Sequence, residues 1–86
     1  MEIRYSRASL KFLNKLEKKS VTRIREAIQK LTEKPPVGDI KLMKGYTDGR
    51  YRLRVGDWRV IYQYGQEKTL EILYILDIGN RGDIYK

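Results

Sequence analysis

Residues 51–64 read "YRLRVGDWRVIYQY". Tyr51 to Val55 alternate strictly, Gly56-Asp57 is a two-residue hairpin signal suited to a type II′ turn with glycine first, and Trp58 to Tyr64 form the return strand. With the turn on Gly56-Asp57, Val55 pairs with Trp58, Arg54 with Arg59, Leu53 with Val60, Arg52 with Ile61 and Tyr51 with Tyr62. Opposed residues share a sheet face, and so do alternate residues along a strand. Tyr51, Leu53, Val55, Trp58, Val60 and Tyr62 therefore make a core face. Arg52, Arg54 and Arg59 lie on the other, with Ile61 and Gln63. A turn longer by one residue would send Arg59 to the face opposite Arg54.

Upstream of the hairpin, "EIRYS" alternates and reads as a first strand, with Ile3 and Tyr5 on one side. Ser6 is placed to cap a helix carrying Ala8, Phe12, Leu13 and Leu16 at helical spacing, with Lys11, Lys15 and Lys18 opposite. Ser20 is a second N-cap candidate. Val21, Ile24, Ile28 and Leu31 follow as a second amphipathic helix with Ala27 beside them. Pro35-Pro36 ends it, because neither ring can continue the ladder. Residues 35–50 hold both prolines and several glycines and are expected to be mostly loop. Downstream, "GQEK" is a turn and Thr69 to Leu76 a strand. Its run Ile72-Leu73-Tyr74-Ile75-Leu76 is apolar on both faces, which suits a central position. "GNRGDIYK" closes the chain as a loop or a single turn.

The expected order is β-α-α-β-β-β: one domain over residues 1–86, α+β, with an N-terminal strand and a two-helix hairpin on one face of a mainly antiparallel four-stranded sheet. The other face is free for function.

Composition narrows what that face could do. The 86 residues carry a net charge of +8, which favours polyanionic partners: nucleic acid, an acidic protein or anionic lipid. With no histidine and no cysteine, the commonest general base, thiolate metal sites and disulfides are all excluded. The lack of cysteine fits a reducing cytosol. The start "MEIRYSRASL" has no apolar signal segment, no run is long enough to span a bilayer, and no Gly-rich phosphate loop is present.

Three guanidiniums on one face, Arg54 and Arg59 directly opposed, are an unfavourable arrangement unless an anion lies between them. Arginine forks suit phosphate, since two N–H donors meet two oxygens in one plane. The competing reading is a solvated face with Glu71 or Asp77 supplying ion pairs. Of the tyrosines, Tyr5, Tyr51, Tyr62 and Tyr74 fall on apolar faces. Tyr46 lies in the loop without an assigned role. Tyr85, four residues after Arg81 in a polar segment, either stacks on an unpaired base or pins the chain end.

Together with "KLMKGY" at 41–46 and "DIGNRGDIY" at 77–85, these features resemble the RelE/ParE superfamily of prokaryotic toxins from type II toxin–antitoxin pairs, over nearly the whole chain. The most specific part is Arg54, Gly56, Asp57, Arg59 and Tyr62 with Arg81 and Tyr85. The resemblance implies the RelE-like microbial RNase fold. On the RelE side it implies an endoribonuclease that enters the ribosomal A site and cuts mRNA. Catalytic roles would map onto Arg54, Arg59, Arg81 and Tyr85, and RNA binding onto Arg52 and Lys44. No cofactor or metal is implied. The ParE branch shares the fold, inhibits DNA gyrase, and typically lacks the terminal arginine–tyrosine pair. A degenerate toxin acting only within an antitoxin complex is a third possibility.

The implied partners are a cognate antitoxin, the ribosome with its rRNA and mRNA, and operator DNA only through the antitoxin complex. No membrane is implied, and the location is cytoplasmic. The best-known RelE members carry lysines where this chain has Arg52 and Arg54, and many relatives carry a basic residue such as histidine at Asn80. Arginine does not give up its proton, so the general base is left among Lys44, Tyr85, a carboxylate and a ribosomal group.

Overall fold

The computed structural model describes residues 1–80. Arg81 and Tyr85 lie outside the described residues. The chain forms β1 (Glu2–Tyr5), α1 (Arg7–Leu13), α2 (Lys18–Gln29), a 3-10 turn (Lys30–Thr32), β2 (Asp39–Leu42), β3 (Tyr51–Val55), β4 (Trp58–Glu67) and β5 (Leu70–Asn80). The sheet has five strands in the order β1-β5-β4-β3-β2. β1 runs parallel to β5, and the other pairs are antiparallel.

The α+β layout is as expected, but the strand count is not. Within the segment read as mostly loop, Asp39–Leu42 forms an edge strand on β3, with Ile40 opposite Leu53 and packed against the core. Four residues between prolines and glycines carry too little alternation to show as a strand. Their pairing comes from β3. The turn between β4 and β5 is also shorter than "GQEK": strand continues to Glu67, and Lys68 takes a φ of 58°.

β5 continues past Leu76 to Asn80 because of a bulge. Ile61 pairs with Asp77 and Tyr62 with Ile75, leaving Leu76 as the extra residue. The extra residue resets the alternation, so Leu73, Ile75 and Ile78 all reach the helix-facing core. Helix α1 answers the polar groups at this irregularity. Ser6 Oγ donates to the Leu76 carbonyl at 2.8 Å, the Ser6 N–H donates to the Ile75 carbonyl at 2.9 Å, and the fully buried Ser9 donates from Oγ to the same Ile75 carbonyl at 3.3 Å. Ser6 is also the N-cap, accepting from Ser9 N–H at 3.1 Å.

The helices depart from expectation in detail. α1 ends at Leu13, Ala8 is exposed, and Ser9 takes the buried position. α2 starts at Lys18, with Glu17 rather than Ser20 at the N-cap. Leu13, Ile24, Ile28 and Leu31 pack on Leu53, Val55, Val60, Tyr62, Leu73, Ile75 and Ile78, so the helical layer covers one sheet face as the periodicity required. β5 lies between β1 and β4, which accounts for its apolar run.

Candidate functional site

The hairpin register is the one read from the turn: Arg54 opposes Arg59, Arg52 opposes Ile61, and Val55 opposes Trp58. Gly56 has a φ of 59° and Asp57 is not among the positive-φ residues, as a type II′ turn demands. The tip is held from the core side. The Arg23 guanidinium of α2 sits 5.9 Å from the Trp58 ring centroid, and a β-carbon on Gly56 would meet its Nη2 at 3.0 Å.

Pairing extends the arginine face across the sheet in two rows. One runs Asp39, Arg54, Arg59, Gly79, and the other runs Lys41, Arg52, Ile61, Asp77. Lys41, Arg52, Arg54 and Arg59 thus outnumber Asp39 and Asp77. Arg52 is largely covered, its side chain 13% exposed, and its Nη1 lies 3.4 Å from both Oδ1 and the carbonyl of Asp39. Arg54 is exposed, while Nε and Nη1 of Arg59 are buried. The acids weighed as partners for a solvated face have contacts of their own. Glu71 meets Lys34 at 3.3 Å, and Asp77 accepts the Ile78 N–H at 2.9 Å.

The same face is different at its other end. Arg4 bonds Glu2 and, at 2.6 Å, Glu67, which also accepts the Tyr74 hydroxyl at 2.7 Å. Hydrogen bonds from Arg4 and then Tyr74 hold the Glu67 carboxyl below its usual range, and the bond to Glu67 pushes the Tyr74 hydroxyl up. This end neutralises itself. The surplus positive charge is concentrated around the β3–β4 tip.

Three buried residues off the helix-facing core, Met43, Ile61 and Ile72, share the arginine face by strand alternation, Ile72 toward its Arg4 end. It is therefore a cationic surface over a small apolar floor. Lys44 is exposed on the β2–β3 loop, and no hydrogen bond or ion pair among the described residues joins it to the arginines. Sequence reading missed Asp39 and Lys41, because β2 itself was missed, and Arg50, which has the same parity as Arg52 and Arg54. Among the described residues, no group of three or more His, Cys, Asp or Glu could hold a metal, and no helix is long and apolar enough to cross a membrane.

An opposed arginine pair with one accessible guanidinium, on rows where basic residues outnumber acidic ones among the described residues, is suited to holding a phosphate and to offsetting charge that builds on it.

Comparison with known proteins adds identity to this geometry. The family model described as the ParE toxin of the type II toxin–antitoxin system parDE matches residues 3–85. The chain is similar to one in the crystal structure of the archaeal RelE–RelB complex from Pyrococcus horikoshii OT3, with 29% identity and a TM-score of 0.72 over 95% of this chain and 96% of that one. It is also similar to a chain of the RelB–RelE antitoxin–toxin complex from Methanococcus jannaschii, with 25% identity and a TM-score of 0.65 over 94% and 93% of the two chains. The YoeB/ParE toxin from Agrobacterium tumefaciens, 18% identical with a TM-score of 0.73 over 94% and 99%, shares the fold. No curated protein matches the chain.

Proposed function

The chain belongs to the ParE toxin family of type II toxin–antitoxin systems, and on that premise we propose that it is a ribosome-dependent endoribonuclease of the RelE kind that cuts mRNA in the A site. The observation that supports this reading is the directly opposed Arg54–Arg59 pair on the free sheet face. In the reaction, the RNA 2′-oxygen attacks the adjacent phosphorus and the bond from phosphorus to the 5′-oxygen breaks. The products are a 2′,3′-cyclic phosphate and a 5′-hydroxyl. The 2′-hydroxyl proton leaves to a base, and the 5′-oxygen takes one up.

Arg54, Arg59 and Arg81 offset charge on the pentacoordinate phosphorus, each fixed donor contributing about 3 kcal/mol where water is excluded. Arg52 and Lys44 hold flanking phosphates. Tyr85 stacks on a base and sets the in-line geometry. A face built from arginine binds transition-state charge well and moves protons badly. Cleavage of free RNA is accordingly slow, and positioning by the ribosome supplies much of the rate. The neutralising partner is an antitoxin, as in the RelE–RelB antitoxin–toxin complexes to which the chain is similar. Operator DNA is met only through that complex, and the protein acts in the cytoplasm.

Primer extension on a programmed translation reaction tests this. New 3′ ends within A-site codons are expected, and they are lost in Arg54→Ala, Arg81→Ala and Tyr85→Ala. A folded wild-type protein that leaves mRNA intact refutes it. One observation favours a second reading: the family model that matches is the ParE one. Inhibition of gyrase supercoiling with intact mRNA would select a gyrase-directed toxin instead.

A further inference from the structure

The loop between β2 and β3 contains an arrangement that the reading above does not use. The Met43 N–H donates to the Arg50 carbonyl at 3.0 Å, which carries the ladder one step beyond the Leu42–Tyr51 pair and closes the loop Lys44–Gly49. Met43 is buried and anchors the loop base. Gly45 and Gly49 take positive φ values of 88° and 74° and turn the chain back on itself. The result brings Tyr46 onto Arg50, with the guanidinium carbon 4.9 Å from the ring centroid. Arg50 is also fixed from a second direction, since its Nε donates to Asp48 Oδ2 at 2.8 Å. Tyr46 nevertheless keeps 48% of its surface exposed.

A cation against one ring face pre-orients the ring and leaves the opposite face for another planar group. Exposed aromatic rings beside arginines are the usual means by which proteins hold unpaired bases, and they tolerate any base because each has a π-face. Position matters as much as chemistry. Arg52 and Arg54 share a face of β3 at a step of about 7 Å, and Arg50 lies directly before that strand, two places ahead of Arg52. The three positions run from the loop to the hairpin tip.

We propose that Tyr46, seated on Arg50, is a stacking platform for an unpaired nucleobase of the RNA strand, several nucleotides from the phosphate held at Arg54 and Arg59. This rests on the RNA-cleaving reading of the arginine face and adds a second point of contact to it. Asp48 serves as a positioning residue by orienting the Arg50 guanidinium.

The test uses the intact protein and short single-stranded oligoribonucleotides in low salt, with 2-aminopurine moved through the sequence one position at a time. Fluorescence quenching is expected at a position contacted by Tyr46. Tyr46→Phe retains it. Tyr46→Leu, which keeps apolar bulk on an exposed site, loses it and binds about 5- to 100-fold more weakly. An abasic nucleotide at that position should weaken wild-type binding by a similar factor and have no further effect on Tyr46→Leu. That non-additivity is one that a merely structural role for the ring would not produce. The proposal is overturned if Tyr46→Leu, with an unchanged melting temperature, binds and quenches as wild type does. If Arg54→Ala still abolishes binding in that case, the arginine face stands without the platform. A wild-type protein that binds no single-stranded RNA overturns the platform, while the cleavage reading stands or falls by primer extension on the translation reaction.

Discussion

Replacing Arg54 by glutamine should stabilise the protein while disabling it. Arg54 and Arg59 are a directly opposed cross-strand pair of like charge, and such pairs destabilise a sheet by about 0.2–1 kcal/mol. The other registered neighbour of Arg54 is Asp39, whose carboxylate is turned to Arg52 at 3.4 Å, so little attraction is lost. The surrounding net charge of +8 acts in the same direction.

A gain of about 0.5 kcal/mol corresponds to a melting temperature higher by about 2–4 °C in a domain of this size. Thermal unfolding followed by circular dichroism at 20 mM and 500 mM NaCl is the assay. The gain should be present at low salt and shrink at high salt, where screening acts over only a few ångströms. In parallel, cleavage by Arg54→Gln should fall by about two to three orders of magnitude. A melting temperature that drops at low salt, or a shift indifferent to salt, would refute the idea that the pair repels.

Other expectations follow from the core and the caps. Ile28→Ala, at a site with no exposed surface, should cost about 2–5 kcal/mol in urea unfolding, a large share of a total of about 5–15. Ser6→Ala removes both the α1 cap and the donor to the Leu76 carbonyl and should cost about 1–2 kcal/mol by the same measurement. Burial, then the neighbouring Tyr64 and Tyr51, push the Tyr62 hydroxyl well above its ordinary value. The folded state therefore keeps a proton that the unfolded chain gives up near pH 10, and stability is flat below that pH and declines above it. Urea midpoints at pH 9 and pH 11 should show the decline, and Tyr62→Phe should reduce it.

The hairpin was legible because everything that defines it is local. A glycine-led turn and strict alternation on either side determine which residues oppose one another, and parity alone separated the arginines from the core. Ser6 was legible for the same reason. β2 was not, because Asp39–Leu42 becomes a strand only when Leu53 and Arg52 are already in place opposite it. Its absence from the reading hid the Asp39–Arg52 contact. The bulge at Leu76 likewise depends on β4 and on the serines of α1. Without it, the apolar run gave no reason to place Ile78 with Ile75.

The parallel pairing of β1 with β5 bears on how the protein is made. The first strand to be synthesised finds its partner about seventy residues later, Glu2 beside Ile72. At roughly 5–20 residues per second that interval lasts about 4–14 seconds. β5 also forms the flank of β4 and receives α1, so until it emerges neither the helical layer nor the arginine face has a fixed support. A nascent chain thus lacks its assembled sheet for most of its synthesis. The arginine face is completed last, when β5 takes its place between β1 and β4.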